Sequence, residues 1–299
     1  ISSILKKNNE VYYTRDLKDE NINGADYIIL PSSIIAHETE VKALGQLKHK
    51  KVFVTGIFAN ILRDKYLESH SIVVKNESDT FFFNLDKSEN LNKEYLDRLF
   101  DNKHLINEFY SPVSLDELPF PDWGSYVEIY PLRNNFFSLN EKIAIPLLGT
   151  RGCPYSCFNY CTYPLQQGRK VRARSVENII DEIKYWQKTL GTNKFVFRDP
   201  VFSIDRKHTI HFCKEVIKQK LNITFMVETH LNNLDDEMIN LLATAGLELV
   251  YVGIESANHV VLKDMKRFTI EHDKQYKIIK KCEEIGIKVK TMFIIGNPE

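Results

Sequence analysis

Residues 149–161 read GTRGCPYSCFNYC and place Cys153, Cys157 and Cys161 within nine residues; we call this stretch the cysteine loop. Three thiols so close together are rare by chance and usually indicate metal ligation. A structural zinc site takes four ligands, which zinc motifs normally supply as two separated pairs. Three thiolates on one loop suit a cubane iron–sulfur cluster whose fourth iron stays open. A zinc knuckle completed by a distant histidine is the alternative.

The rest of the composition indicates a globular chain. Its 299 residues include 40 Lys and Arg against 40 Asp and Glu, and 43% are hydrophobic. This neutral balance argues against a broad nucleic-acid surface, and no apolar run reaches the roughly 18 residues that span a bilayer. The other two cysteines, Cys213 and Cys282, stand alone, so we expect a reducing cytoplasm and no disulfide framework. The opening Ile1-Ser2-Ser3 indicates a piece of a longer protein.

The second half of the chain alternates predicted strands and helices. Strands are predicted at residues 143–148, 194–197, 223–227, 248–254 and 289–295. Helices are predicted at residues 176–190, between the cap Ser175 and Gly191, and at 206–218, 235–245 and 274–284. Right-handed crossovers wrap such a series into an open barrel or curved sheet. Because the cysteine loop follows the first strand, we expect it at the carboxyl end, where barrel active sites lie.

The first part of the chain also alternates strands and helices. Strands are predicted at residues 11–14, 27–30, 52–55 and 72–74, and helices at 37–47 and 59–67. This order predicts a parallel sheet covered on both faces. Ligands of such sheets bind at the carboxyl ends of the strands, here residues 31–33, 56–58 and 75–77.

The pattern changes between residues 86 and 140. A charged helix is predicted at residues 92–105, and a stretch rich in proline and aromatic residues follows at 111–123. Prolines remove backbone donors and fix the chain, so residues 86–140 are predicted to be a linker. The predicted fold class is therefore α/β, with domains at residues 1–85 and 141–299.

Several further segments follow the cysteine loop in a recognisable order. They are residues 197–202 (FRDPVF), 228–230 (ETH), 253–256 (GIES), 261–267 (VLKDMKR) and 294–299 (IIGNPE). Together with the cysteine loop, their order and spacing resemble the radical SAM superfamily. Three other segments resemble the turns and linker of the cobalamin-binding domain that one subgroup contains. They are residues 55–60 (TGIFAN), 73–78 (VVKNES) and 115–121 (LDELPFP).

The resemblance implies a Rossmann-like, cobalamin-binding-type domain at residues 1–85, incomplete at its start. It also implies a partial radical SAM barrel at residues 141–299, truncated after its fifth strand. The implied cofactors are a [4Fe-4S] cluster on Cys153, Cys157 and Cys161, S-adenosyl-L-methionine (SAM), and cobalamin. The implied cofactor-binding residues are Tyr160, Asp199, Glu228, Glu255, Ser256 and Gly296.

Among these residues, the resemblance gives three a specific contact. Tyr160 is expected over the adenine, Asp199 at the methionine amino group, and Glu255 at the ribose or amino group. Structural roles are the alternatives: Asp199 as a loop cap, and Glu228 as the partner of a nearby Lys or Arg. No catalytic residue is assigned, and His230 is given no chemistry.

The activity implied by the resemblance is reductive cleavage of SAM. Its partners would be a small-molecule substrate and an electron donor such as a flavodoxin or ferredoxin. A cobalamin-dependent methyltransferase is one outcome, and a cobalamin-independent cyclase or hydrogen-abstracting enzyme is another. A non-catalytic relative with a defective cluster loop is the third. Whether the protein retains a corrin separates the first outcome from the second, and the iron and sulfide content of the protein identifies the third.

The sequence departs from the subgroup in two places. Both gaps between the clustered cysteines contain three residues, where the subgroup normally has three and then two, because Asn159 looks inserted. In the first domain most expected glycines are replaced, by Thr55, Ile57 and Asn76. The basic run at residues 169–174 could face an anionic substrate, but a solvated face with local ion pairs is the default expectation.

Overall fold

A computed structural model describes the chain over residues 1–33, 35–75, 77–103, 113–129, 138–139, 142–157 and 160–296. The chain divides into two compact units. The first unit comprises residues 1–129 with 165–167, and the second comprises residues 130–164 and 168–299. Within the described ranges, no helix has the length and apolar character needed to cross a bilayer.

The first unit is built on a three-stranded parallel sheet. Its strands are β1 (Tyr27–Pro31), β2 (Lys51–Thr55) and β3 (Ser71–Val73), in the order β1-β2-β3. Its helices are α1 (Ser2–Leu5), α2 (Glu20–Gly24), α3 (His37–Gln46), α4 (Ile57–Ile61), α5 (Arg63–Tyr66), α6 (Ser78–Lys87), α7 (Lys93–Asp101) and α8 (Trp123–Ile129). A short 3-10 turn lies at Leu115–Glu117. The predicted helix at residues 59–67 is divided between α4 and α5.

The strand predicted at residues 11–14 is wrong, because this segment forms no strand in the structure. The β-branched and aromatic residues of this segment are typical of a strand, and they alternate between partly buried and exposed. The Tyr13 hydroxyl donates to Asp122 Oδ2 at 3.1 Å. The partly buried side chain is therefore held by a polar contact near the start of α8, and no backbone pairing with the sheet is needed to explain the alternation.

Side-chain alternation along β2 explains the two layers of apolar packing in the first unit. Phe53 lies on one face, where its ring contacts those of Phe82 at 5.4 Å and Phe100 at 5.0 Å. Val52 and Val54 lie in a separate cluster on the other face. Because Phe100 lies on α7, this helix packs in the core of the first unit, although the sequence placed it in the linker.

The second unit contains a six-stranded sheet and a separate hairpin. The strands are β4 (Ser138–Leu139), β5 (Lys142–Leu147), β6 (Thr150–Arg151), β7 (Arg172–Ala173), β8 (Lys194–Phe197), β9 (Thr224–Thr229), β10 (Leu247–Glu255) and β11 (Lys288–Phe293). The sheet order is β11-β10-β9-β8-β5-β4, and all neighbours are parallel except β4 and β5. Strands β6 and β7 form the antiparallel hairpin. All five predicted barrel strands are therefore present.

The helices after residue 160 connect these strands. They are α9 (Tyr163–Gln167), α10 (Val176–Leu190), α11 (Arg206–Lys218), α12 (Asp236–Ala245), α13 (His259–Asp264) and α14 (His272–Glu284), with a 3-10 turn at Leu231–Asn233. Local signals set their ends. Ser175 Oγ accepts a hydrogen bond from the Asn178 N–H at the start of α10, and Gly191 ends that helix in the left-handed conformation.

The two faces of the second sheet carry different side chains. On the helix-covered face, Phe197 and Phe225 contact Phe212 of α11 at ring distances of 5.3 and 5.7 Å. The opposite face carries a small cluster with one residue from each of four strands, namely Ala144, Val196, Met226 and Leu249. Because side chains alternate along a strand, residues two positions further on lie on this same face, at the carboxyl ends of the strands.

Candidate metal centre and cofactor site

The cysteine loop is braced by the β6–β7 hairpin. Gly152 has a φ of +90°, and a Cβ at this position would lie 2.1 Å from the Lys170 carbonyl oxygen. The Cys153 N–H donates to the Gly168 carbonyl at 3.1 Å. Only glycine allows so close a backbone approach with this φ. The chain before the first cysteine is therefore fixed against residues 168–170.

The basic run at residues 169–174 is partly structural. Arg169 and Lys170 are exposed, as expected of a solvated face. The Arg174 guanidinium instead forms an ion pair with Glu182, whose side chain is 1% exposed, and donates to the Leu148 carbonyl at 3.3 Å. A buried pair of this kind needs further hydrogen bonds to offset its desolvation. Arg174 thus holds the chain at the start of the cysteine loop.

Asp199 also supports the start of the cysteine loop. Its Oδ1 accepts from the Gly149 N–H at 2.8 Å, and its Oδ2 accepts from Thr150 Oγ1 at 2.8 Å. Burial raises the pKa of Asp199 to about 6, although these hydrogen bonds oppose the shift. The residue is 1% exposed, and both oxygens are bonded within the protein. This geometry supports the loop-cap interpretation, while contact with SAM stays a prediction.

The three clustered cysteines lie at the carboxyl end of β5, and all are free thiols. Burial raises the pKa of Cys153 and of Cys161, and the nearby Arg267 guanidinium opposes both shifts. Arg267 Nη1 also donates to Cys157 Sγ at 3.4 Å. The predicted insertion at Asn159 lies outside the described residues. A positive charge beside the thiols favours their ionised, metal-binding form.

Arg267 is the site residue that sequence reasoning missed. Its segment carried the family resemblance, but no role was assigned to this side chain. Arg267 Nη2 donates to the Gly253 carbonyl at 2.7 Å and lies 3.8 Å from Glu255 Oε1. Only 12% of the Arg267 side chain is exposed. No local pattern marks this arginine, because Lys263, Asp264 and Lys266 of the same segment are exposed charged residues.

Glu255 occupies a constrained position at the end of β10. Its φ is +66°, and its residue is 9% exposed. A Cβ on Gly253 would lie 2.2 Å from Glu255 Oε1, so the glycine makes room for the folded-back carboxylate. Burial raises the pKa of Glu255, and Arg267 opposes the shift. Such backbone strain persists where the surroundings hold it, often at functional sites.

Tyr160 has an unsatisfied hydroxyl in this site. The oxygen is buried, and no hydrogen-bond partner meets it among the described residues. Burial raises the pKa of Tyr160, while Arg267 opposes the shift and the Cys157 and Glu255 charges add to it. The structure therefore brings Tyr160, Glu255, Arg267 and the cysteines into one electrostatic environment. An orphaned buried hydroxyl is a reason to expect a ligand there.

The remaining predicted cofactor-binding residues lie at the ends of other strands. Glu228 lies near the carboxyl end of β9 and pairs with Arg198, as one sequence interpretation anticipated. Its Oε1 accepts from Arg198 Nη1 at 2.6 Å. Ser256 Oγ accepts from the Asn258 N–H at 3.1 Å and so stabilises the turn after β10. Gly296 has a φ of +87° and is exposed, with open space around its α-carbon. Their contacts with SAM stay predictions.

The donor set fits a cubane cluster. Each thiolate of such a cluster binds a different iron, so the ligands do not converge on a single ion. In the part of the chain that the structure describes, no three His, Cys, Asp or Glu side chains are arranged around one metal ion. The three thiols, the adjacent guanidinium and the orphaned hydroxyl suit an anionic cluster with a bound cosubstrate.

Comparisons with known proteins support the same family. An uncharacterized methyltransferase of Pyrococcus horikoshii is 25% identical over 201 residues, which cover 67% of this chain and 42% of that protein. The anaerobic magnesium-protoporphyrin IX monomethyl ester cyclase of Rubrivivax gelatinosus is 31% identical over 185 residues, which cover 59% of this chain and 31% of that protein. The chain thus spans less than half the length of these relatives.

A solved structure shows the fold. The cobalamin-dependent S-adenosylmethionine radical enzyme OxsB, with aqua-cobalamin and S-adenosylmethionine bound, has a TM-score of 0.70 at 16% identity. The alignment covers 91% of this chain and 41% of OxsB. The predicted α/β fold class is confirmed by this likeness. Residues 147–299, slightly more than half of the chain, match the radical SAM superfamily, which uses a [4Fe-4S] cluster and SAM. The chain belongs to the radical SAM superfamily.

Proposed function

We propose that this protein is an enzyme that cleaves SAM reductively, with Cys153, Cys157 and Cys161 holding a [4Fe-4S] cluster. When bound, the cluster supplies the electron that breaks a sulfur–carbon bond of SAM. The observation that carries the proposal is the hydrogen bond from Arg267 to Cys157 within a loop of three thiols at the carboxyl end of the sheet. A barrel interior also excludes water from reactive species.

The surrounding residues have separate roles in this proposal. Arg267 stabilises negative charge on Cys157 and holds the carboxylate of Glu255. Glu255, Ser256 and Gly296 are proposed to contact SAM, with Glu255 on its ribose or amino group. Tyr160 is proposed to cover the adenine, and its unpartnered hydroxyl supports a ligand at this place.

Asp199 and Glu228 are proposed to act near SAM as well, but their contacts within the protein favour indirect action. Both oxygens of Asp199 are bonded to the turn before the cysteines. Asp199 therefore supports the site by holding that turn. Both oxygens of Glu228 are likewise engaged, by Arg198 and by Tyr163.

The reaction outcome depends on whether cobalamin binds to the first unit. We propose that the first unit, with α7 packed in its core, forms the cobalamin-binding-type domain expected at residues 1–85, that the linker lies within residues 86–140 after α7, and that residues 141–299 form the barrel. Gly56 has a φ of +101°, but its missing Cβ is explained by Ser32, whose carbonyl oxygen would lie 2.7 Å away. The conformation of this glycine is therefore explained within the protein and does not indicate a corrin cradle.

Two reactions follow from the two cofactor states. Retained corrin favours methylation of an unactivated carbon, and its absence favours a cyclase or a hydrogen-abstracting enzyme. The substrate is proposed to be a small molecule, and the reductant a flavodoxin or ferredoxin. All five cysteines are free, which suits a reducing cytoplasm as the proposed location.

The test is anaerobic reconstitution of the protein with iron and sulfide. We expect about four irons per chain, together with deoxyadenosine after SAM and a reductant are added. Cys161→Ala should lose both, whereas Cys213→Ala, which removes a buried thiol outside the loop, should keep both. Corrin absorbance after incubation with cobalamin then separates methylation from the alternative. Stoichiometric zinc, or equal iron in the Cys161→Ala variant, would overturn the proposal.

A further inference from the structure

Two tyrosines, one within the cysteine loop and one just after it, contact residues at the end of the same strand, β9. Tyr155 lies between Cys153 and Cys157, and Tyr163 lies two residues after Cys161. Tyr155 contacts His230, and Tyr163 contacts Glu228. Neither tyrosine belongs to the cysteine pattern itself. Their contacts therefore connect both ends of the thiol cluster to the chain at the end of β9.

The contact at the Cys161 end is polar. The Tyr163 hydroxyl donates to Glu228 Oε2 at 3.2 Å, while Arg198 Nη1 donates to Glu228 Oε1 at 2.6 Å. The side chain of Glu228 is 19% exposed. Both carboxylate oxygens are thus engaged by the protein, one toward the cysteine loop and one toward β8.

The contact at the Cys153 end is a cluster of three rings. Tyr155 stacks on Phe268, with ring centroids 6.0 Å apart and planes 6° from parallel, and lies 5.2 Å from the His230 ring. The Asn232 N–H donates to His230 Nδ1 at 3.1 Å, so the ring proton lies on Nε2 and is donated to the Phe268 carbonyl at 2.9 Å. These two bonds fix the orientation of the imidazole.

Strand periodicity explains why both contacts fall on one side of β9. Glu228 and His230 are two residues apart and so share a face, separated by about 7 Å along the chain. Thr229 between them lies on the other face, where its hydroxyl bonds to that of the buried Ser203 at 2.5 Å. The Ser203 contact fixes the register of the strand end. Glu228 and His230 therefore present two rigid supports to the cysteine loop.

We infer that Glu228 and His230 are positioning residues that set the separation of Cys153 and Cys161 by holding Tyr163 and Tyr155. This inference rests on the proposed cluster. A cubane requires its ligands at fixed positions, whereas a loop with two three-residue gaps has many conformations to lose on ordering. Holding the loop at both ends removes much of this freedom. Glu228 then acts through Tyr163, in place of the contact with SAM expected from the resemblance.

The test compares cluster retention in variants that break each contact with variants that keep it. Glu228→Ala and Tyr155→Ala should release iron to a chelator about tenfold faster than the unmodified protein, as when supporting groups of a metal site are lost. Glu228→Gln keeps an acceptor for Tyr163, and Tyr155→Phe keeps the ring stack, so both should restore slow release. Tyr276→Ala, on an exposed face of α14, is the matched control. The unfolding midpoint of each iron-free variant identifies any general loss of folding.

Spectroscopy separates positioning from cofactor binding. The reduced cluster of Glu228→Ala should show a broadened or shifted electron paramagnetic resonance signal before SAM is added. An unchanged signal and release rate, with only a higher KM for SAM, would overturn the inference and leave the proposed function intact. An unmodified protein that assembles no cluster would overturn both.

Discussion

The carboxyl ends of the two parallel sheets have different chemistry. In the first unit, Ser32 Oγ accepts from the Ala59 N–H at 2.8 Å, and Asn60 Nδ2 donates to the carbonyls of Gly56 and Val74. In the second unit, the Arg267 guanidinium donates to Cys157 Sγ near the other two clustered thiols, and the Tyr160 hydroxyl has no partner among the described residues. In the first unit, the polar groups at the strand ends are satisfied by hydrogen bonds within the protein, whereas the second unit retains groups suited to a ligand.

The difference shows that a shared sheet geometry does not by itself make a binding site. Glu40 illustrates this in the first unit, because its buried carboxylate is engaged by the Tyr66 hydroxyl and the Ser33 N–H at 2.8 and 2.9 Å. Glu255 in the second unit has Arg267 at 3.8 Å as its charged partner. Function must therefore be argued from the site, residue by residue.

Gly152→Ala should have the largest effect on the second unit. The new Cβ would lie 2.1 Å from the Lys170 carbonyl oxygen at a φ of +90°, so the loop must move. We expect iron content after reconstitution to fall about tenfold and the free energy of unfolding of the iron-free protein to fall by about 1–3 kcal/mol. Iron analysis and denaturant titration measure the two effects.

Gly191→Ala is the matched control for this substitution. Gly191 also has a positive φ, +63°, but no atom lies within 4 Å of a Cβ placed there. We expect a loss of about 1–2 kcal/mol from backbone strain alone, with iron content unchanged. Equal iron content in Gly152→Ala and Gly191→Ala would show that the Lys170 contact does not fix the cysteine loop.

Asp199 should make the stability of the second unit depend on pH. Its folded pKa of about 6 lies above the ordinary value of 3.8, so the fold favours the protonated carboxyl. The stabilisation is complete below about pH 3.8 and is lost as pH rises through 6. At about 1.4 kcal/mol per pKa unit, the raised pKa corresponds to at most about 3 kcal/mol of unfolding free energy.

Asp199→Asn isolates this contribution, because the amide does not titrate. Denaturant unfolding of the iron-free proteins between pH 4.5 and 7, roughly the range set by the raised pKa, is the measurement. The unmodified protein should gain stability relative to the variant as pH falls. A constant difference across this range would mean that the carboxyl of Asp199 titrates normally despite its burial.

Gly56→Ala should destabilise the first unit without disturbing the iron site. A Cβ would lie 2.7 Å from the Ser32 carbonyl oxygen, and the φ of +101° disfavours any side chain. We expect the free energy of unfolding to fall by about 1–3 kcal/mol, with about four irons per chain retained. Loss of iron in this variant would instead show that the two strand ends depend on each other.

Local signals explain how much of the fold was predictable. Helix α10 begins and ends as predicted because Ser175 and Gly191 act within one turn of its ends. The cysteine pattern likewise predicted the candidate site, because its three thiols are close together in sequence; their binding of a cluster stays a prediction. The strand predicted at residues 11–14 is wrong because a short β-branched and aromatic run does not by itself form a strand, and here Tyr13 is held by a side-chain contact with Asp122.

The parts of the site that escaped prediction depend on contacts between distant residues. Arg267 reaches Cys157 across 110 positions, and Tyr163 reaches Glu228 across 65. No local period or spacing encodes such pairs. The pairing of Glu228 with an arginine was anticipated as an alternative, but its partner, Arg198, lies 30 positions away. Sequence reasoning identified the thiols, and the structure supplied the residues that hold them.

Gly45→Ala should have the smallest effect and the opposite sign. Gly45 lies within α3, has no positive φ, and has no atom within 4 Å of a Cβ placed on it. Alanine loses less backbone entropy in a helix, so the free energy of unfolding should rise by about 0.5–1 kcal/mol. Thermal unfolding of Gly45→Ala and of Gly56→Ala, each compared with the unmodified protein, measures the two opposite changes in stability. A loss of stability in Gly45→Ala would contradict the open space around Gly45. It would also contradict the contrast between glycines in open space and glycines packed against a carbonyl oxygen.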